Sequence, residues 1–331
     1  MRATMKTTTR WVMTALLASV ASISGCGGDP GEGDLDEDVV ADGDDTGDGT
    51  DTTAAAVAGD PLQPIGTLSA GEASGVVASR KYPGVLWWHR DGGPTNGQPR
   101  NAVFAYRLEN GVLTAFSPGV FFKAFTIAGQ QNSQWEDIAT DDAGNLWIGQ
   151  IGQCKACPHY LLKVAEPDPF TATTAKVLAR YPYEYPGAFK NAEGLLVVDG
   201  SPYIFSKESN TSVYRMSTFR TSEDDPNTLS LVGALAGPAG NISGVDISGD
   251  RRRMVIQTHK RVWVHDVPAT ALTGEAFVKH AIASPPTWDV DMSATALNIE
   301  GAAFVRSTNN VTLVAENKAI YYLPASFYET Q

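Results

Sequence analysis

Short apolar runs alternate with turn-rich polar stretches from about residue 61 to the end of the chain, and one arrangement recurs five times. Each copy begins with a compact motif: Ser74-Gly75-Val76-Val77, Glu136-Asp137-Ile138-Ala139, Glu193-Gly194-Leu195-Leu196, Ser243-Gly244-Val245-Asp246 and Glu300-Gly301-Ala302-Ala303. The copies are spaced by 62, 57, 50 and 57 residues. Turn formers follow each motif, such as Pro83-Gly84, Asp141-Asp142-Ala143-Gly144-Asn145 and Asp199-Gly200. A second apolar strand comes next (Leu86-Trp87-Trp88, Leu146-Trp147-Ile148, Tyr203-Ile204-Phe205, Met254-Val255-Ile256, Thr312-Leu313-Val314). A third strand completes the pattern, as in Val103–Tyr106 and Val262–His265. Such a period is the signature of a repeat architecture.

Four copies have a candidate fourth strand, at Lys123–Ile127, Ala175–Arg180, Leu229–Leu235 and Ala276–Ile282, whereas the fifth runs out of chain. The stretch from Pro61 to Leu68 has no partner of its own. The pattern therefore predicts an all-β fold, a β-propeller of five four-stranded blades, its ring closed by the 61–69 strand pairing with the 298–325 unit. Closure removes the exposed strand edges of an open array. Six blades are possible if residues 266–298 hide an irregular one. No run of helical periodicity is read anywhere in this region.

Composition divides the chain. Of 331 residues, 25 are Lys or Arg and 37 are Asp or Glu, yet residues 27–60 hold twelve of the acids and no base. Residues 61–331 are close to neutral, with 22 bases against 25 acids, which argues against a nucleic-acid partner. Residues 1–26 place Arg2, Lys6 and Arg10 before an apolar run from Trp11 to Ile23, and end in Ile23-Ser24-Gly25-Cys26. The run is too short to span a bilayer and reads as an export signal. Its end resembles the bacterial lipobox, which implies lipidation of Cys26. The expected organisation is a signal peptide over 1–25, a lipidated cysteine and acidic tether over 26–60, and a propeller over 61–331. It predicts an exported monomer held to a membrane by its lipid, in the outer membrane and periplasm or at the cell surface. The tether segment Asp42–Asp48 resembles a calcium loop, but Thr53 stands where an EF-hand needs its bidentate glutamate.

The blade pattern resembles secreted bacterial propellers of the NHL/YVTN and gluconolactonase-like class. Trp135-Glu136-Asp137-Ile138-Ala139 with Leu146–Gln153 is similar to an uncharacterised propeller family that more often reads Asp-Ile-Gly-Asp-Asn in the second stretch. Here Gln150 and Gln153 hold the aspartate positions, so the resemblance carries no cation ligand onto them. Gluconolactonase-like propellers hold a channel metal with Glu, Asn and Asp. The resemblance implies such a site without supplying its Asn-Asp pair.

In a propeller, the starts of first strands and the ends of second strands converge on the top of the channel. The candidate ligand or metal residues are therefore Glu136, Asp137, Glu193 and Glu300 from the first strands, with Asp91, Glu208 and Glu316 from the second. Hard oxygen donors of this kind suit calcium. The competing reading is a ring of structural ion pairs to Arg90, Lys207 and Lys318. His259 is a possible general base, but Lys260 and Arg261 beside it favour a solvated hairpin tip. Cys154-Lys155-Ala156-Cys157 lacks the helix of a thioredoxin motif and the following histidine of a haem motif. A local disulfide is expected, with a metal site including His159 or free thiols as alternatives. No nucleophile elbow, phosphate loop or zincin helix is present. Two functional classes remain open: a ligand- or protein-binding module using its top face, and a calcium-assisted hydrolase such as a lactonase or phosphoesterase.

Overall fold

The computed structural model describes residues 64–328 apart from 93–96, 98, 238, 239, 293–297 and 307. All of them belong to the second of the chain's two units, Thr53–Gln331. The export signal, Cys26 and the acidic tether lie outside the described residues.

The first described element is β1 (Pro64–Thr67). The first blade follows as β2 (Ala73–Ala78), β3 (Val85–Arg90), β4 (Ala102–Glu109) with its short hairpin partner β5 (Val112–Thr114), and β6 (Phe122–Ile127). The second is β7 (Trp135–Thr140), β8 (Asn145–Gln150), β9 (Tyr160–Ala165) and β10 (Thr174–Glu184). The third is β11 (Ala192–Val198), β12 (Ser201–Ser206), β13 (Ser212–Arg215) and, after the two-residue β14 (Asn227–Thr228), β15 (Ser230–Ala234). The fourth is β16 (Ile242–Ile247), β17 (Arg253–Thr258), β18 (Arg261–Asp266), the helix α1 (Gly274–Ala283) and β19 (Trp288–Asp291). The fifth holds β20 (Ile299–Val305), β21 (Asn310–Ala315) and β22 (Ala319–Leu323), and its fourth strand is β1.

Five blades of four antiparallel strands thus form a β-propeller, and the N-terminal strand closes the ring as the repeat arithmetic predicts. Pro64 pairs with Tyr321, Gly66 with Ile320 and Thr67 with Ala319. The innermost strands β2 and β16 are buried along their whole length, whereas the outer β15 and β1 are largely exposed or half-buried. Buried central strands read as continuous apolar runs for that reason. The core is five clusters, one between each pair of neighbouring blades. The closing cluster packs Ala303, Val305, Val314 and Ile320 of the fifth blade against Val76, Leu86, Trp88 and Phe104 of the first.

The structure corrects the fourth blade. Residues 276–282 are not its outer strand but part of α1, and Trp288–Asp291 pairs with β18 instead. The buried residues of α1 are Phe277, Val278, Ala281 and Ile282. That spacing gathers them on one helical face, whereas a strand would have split them between two faces. The helix lies against β15 and fills the core between the third and fourth blades. The stretch 266–298 hides this helix rather than a sixth blade.

Closure through one short strand predicts a specific weakness. Deleting residues 61–69 removes the ladder to β22 and the buried side chain of Leu68, which is 3% exposed. The loss is expected to cost about 3–5 kcal/mol and to leave an edge that aggregates. Urea unfolding followed by tryptophan fluorescence measures the first, and light scattering the second; an unchanged midpoint would refute closure by this strand.

Candidate functional site

Every first strand carries the same irregularity at its start. Trp135 pairs with Gln150 and Asp137 with Gly149, which leaves Glu136 without a partner in the ladder. Glu193, Ser243 and Glu300 are skipped in the same way, and in the first blade the shift falls between Ala73 and Val76, at Ser74-Gly75. A bulge of this kind re-aims one side chain away from the sheet. Repeated in all five blades, it delivers Ser74, Glu136, Glu193 and Glu300 to one cavity at the top of the channel.

Apart from Ala73 beside Ser74, the rest of the lining comes from an equally regular position, the residue directly after a second strand. Asp91 follows β3, Lys207 follows β12, His259 follows β17 and Glu316 follows β21, and all four line the cavity. The equivalent residue of the second blade is Ile151, which is buried. The cavity is open to solvent on one side and has a volume of about 110 Å³, enough for an ion with waters or a very small molecule.

Lys207 organises this cavity. Its Nζ donates to Glu193 at 2.7 Å and lies 3.2 Å from His259 Nε2. The same His259 nitrogen is 3.2 Å from a Glu300 carboxyl oxygen. Glu193, His259 and Glu300 offer donor atoms that all fall within 4.8 Å of one another. Burial pushes the Glu136 carboxyl well above the usual range, and the charges of Glu193 and Asp91 add to the shift. Burial and Glu193 likewise hold Glu300 at about 8. Burial also raises Glu193, with Lys207 opposing it. His259 is lowered by burial and by the Lys207 charge. At neutral pH these shifts favour a neutral His259 imidazole, whose Nε2 lone pair faces the Lys207 ammonium, and a protonated Glu300 carboxyl beside the same nitrogen at 3.2 Å, so the His259–Glu300 contact is not an ion pair.

Of the sequence candidates, Asp91, Glu136, Glu193, Glu300 and Glu316 come together here. Glu208 does not line the cavity and pairs with Lys190 at 2.7 Å. Asp137 is buried beneath it, where its carboxylate accepts from the backbone N–H groups of Ile138, Leu195 and Val245. It ties the second blade to the third and fourth. Gln150 bonds the backbone of Ser133 and Gln134 and the Ser133 hydroxyl, closing its own loop. Of the expected ion-pair cations, Lys207 answers an acid, while Arg90 donates from Nε to the Gly71 carbonyl. His259 stands in the turn between β17 and β18, but its side chain is half-buried in the cavity rather than solvated, and its register, one residue past the second strand as at Asp91, Lys207 and Glu316, is the signal that could have placed it. Cys154 and Cys157 form a disulfide, in the loop that follows β8.

No protein-family model and no curated protein sequence matches the chain. Among solved structures, a gluconolactonase from Xanthomonas campestris is similar at 12% identity and a TM-score of 0.42, covering 80% of this chain and 89% of that one. The β-propeller domain of Cps50 (Swd1) from Myceliophteria thermophila is similar at 9% identity and a TM-score of 0.42, covering 80% and 99%. The class of protein therefore rests on the blades themselves: a five-bladed β-propeller with an acidic cavity at the top of its channel.

The raised Glu300 carboxyl makes a signed prediction. The folded protein holds a proton there up to about pH 8, while the unfolded chain releases it near 4.5. Stability contributed by the neutral form is present below pH 4.5 and is lost as pH rises through 8. Glu300→Gln mimics the neutral form. In EDTA it should match wild type at pH 5 and exceed it by about 1–3 kcal/mol at pH 8.5, after discounting for solvent screening. Equal unfolding midpoints at pH 8.5 would contradict the shift.

Proposed function

We propose that this protein is a propeller binding module whose top-face cavity takes a small cationic ligand, a divalent metal ion foremost. One observation supports this above the rest: four of the five blades bring an acid to a cavity that contains one lysine. Two of those acids stand with His259 at metal-binding separations. Burial and mutual repulsion disfavour so many carboxylates together, and a bound cation would relieve both. Oxygen donors alone suit calcium. The His259 nitrogen makes the set mixed and favours a borderline ion such as zinc. Lys207 holds Glu193 in the absence of an ion, so a metal would have to displace its ammonium group.

Binding to the folded state adds about 2.7 kcal/mol of stability by mass action at one hundred times Kd, and the melting point rises with it. Calcium, zinc and EDTA are therefore compared on wild type, Glu193→Gln and Lys207→Gln. The reading expects stabilisation by one of the two ions, weakened at least tenfold in Glu193→Gln and strengthened in Lys207→Gln. A wild type that melts identically in all three solutions would sink it.

A second reading, metal-assisted hydrolysis of a lactone or phosphoester, draws support from the Glu300–His259 pair. A carboxyl titrating near 8 beside a neutral imidazole suits proton transfer to a leaving group. It requires the same cation response, together with turnover that Glu300→Gln abolishes.

The address read in residues 1–26 makes this module an exported lipoprotein in our reading, its membrane partner engaged through Cys26. A Cys26→Ser variant is expected to leave the membrane fraction for the soluble one. Retention there as firmly as wild type would refute lipid anchoring.

A further inference from the structure

The opposite end of the channel carries a different chemistry. The turns between first and second strands lie there, and they bring Arg80, Asp142, Asp199, Arg251 and Arg306 together, one from each blade. Asp142 takes Arg80 at 2.7 Å and Arg251 at 2.6 Å, and Arg251 also pairs with Asp199. Two guanidiniums thus share two carboxylates. Arg306 is the unmatched member, forming no ion pair within 4 Å among the described residues. Its Nη2 donates to Thr140 Oγ1 at 2.7 Å and its Nε to the Ala78 carbonyl at 3.4 Å. Arg80 Nε donates to the same Thr140 hydroxyl at 3.3 Å, which fixes two like charges side by side. Two acids act on Arg306 from a distance, Asp246 more strongly than Asp142, and Asp142 is already engaged by Arg80 and Arg251. Asp246 is buried, and one of its oxygens is already taken by the backbone N–H of Phe304.

Beside this pair lies a cavity of about 230 Å³, between the first and fifth blades. Arg80 and Arg306 line it together with Pro83, Val85, Leu86 and Val305. The polar contacts of the two arginines leave Arg80 Nη2 and Arg306 Nη1 without a protein acceptor among the described residues.

We propose that this cavity is an anion pocket for a small carboxylate on a short apolar body. The guanidinium fork matches a carboxylate in plane and charge, and neighbouring cations that repel one another gain most from an anion between them. The apolar wall selects against fully hydrated anions, because it offers no hydrogen bonds to replace water. The volume is below that of drug-sized sites, so the ligand has the size of a single ring or of one amino-acid residue. This pocket is separate from the top-face cavity, and neither reading depends on the other.

The test uses the full-length protein in EDTA, titrated with benzoate and, separately, with inorganic phosphate, by calorimetry and by perturbation of amide resonances. Saturable benzoate binding that shifts resonances in the 78–86 and 305–306 segments is expected, with phosphate binding at least tenfold weaker. Arg80→Gln, at a partly exposed position, should weaken benzoate at least tenfold, and Arg306→Lys should do the same while keeping the charge. If Arg306→Lys fails to fold, Arg80→Gln decides alone. Benzoate binding unchanged in Arg80→Gln would overturn the proposal, as would phosphate binding as tightly as benzoate or the absence of saturable benzoate binding.

Discussion

The axis of this propeller has room for one side chain, and the rest of the molecule is arranged around that limit. Four of the five first strands present glycine at the narrowest level, and the fifth presents Asp137. A Cβ on Gly75 would stand 2.4 Å from an Asp137 carboxyl oxygen, and one on Gly301 would stand 2.9 Å from the backbone of Ser74 and Val76. With five blades the inner strands approach so closely that backbone meets backbone. Asp137 fills the remaining space and bonds the inner strands of the third and fourth blades. Asp246 repeats the device toward the fifth blade through Phe304. Ser74 and Ser243 join neighbouring strands through the carbonyls of Glu136 and Ile299. The blades are therefore stapled by polar side chains at the centre and by apolar clusters outside it.

That central seal divides the channel into two ends with opposite character. Above it, the bulge at the start of each first strand turns one side chain out of the ladder and into a common space. Four of those side chains line the top cavity, three of them glutamates. The acids are there because the bulge aims them, and their raised protonation follows from burial and mutual repulsion. Below the seal, the first hairpin of each blade contributes one member of a cluster of three arginines and two aspartates, Arg80, Arg251 and Arg306 with Asp142 and Asp199.

Lys207 and His259 decide how the top cavity is used. The lysine holds Glu193 and approaches the histidine nitrogen that faces Glu300. An acid set without it would repel itself, and a set fully paired by it would leave nothing to bind. A single ammonium group among several carboxylates leaves the cavity between those limits. Its proton occupancy and cation affinity are consequently two readouts of one balance.

The sequence by itself determined the five repeats, the three inner strands of each, and the closing role of the stretch before Ser74, while the choice between five blades and six waited on the structure of residues 266–298. Those follow from local alternation and from a period that five copies make unmistakable. It also determined which acids could converge, because propeller geometry converts position within a repeat into position on a face. Only the tertiary structure decided that Asp137 is a central strut rather than a ligand, since its neighbour Glu136 differs from it by one bulged residue. Only it decided that Glu208 turns outward to Lys190 while Lys207 turns inward to Glu193. It also made residues 276–282 a helix, because their apolar face has a groove between two blades to fill, a partner that no local pattern reveals. His259 belongs with these. Its flanking charges describe a solvated turn, and what brings it inward is its place one residue past a second strand, which acquires meaning once five such strands share an axis.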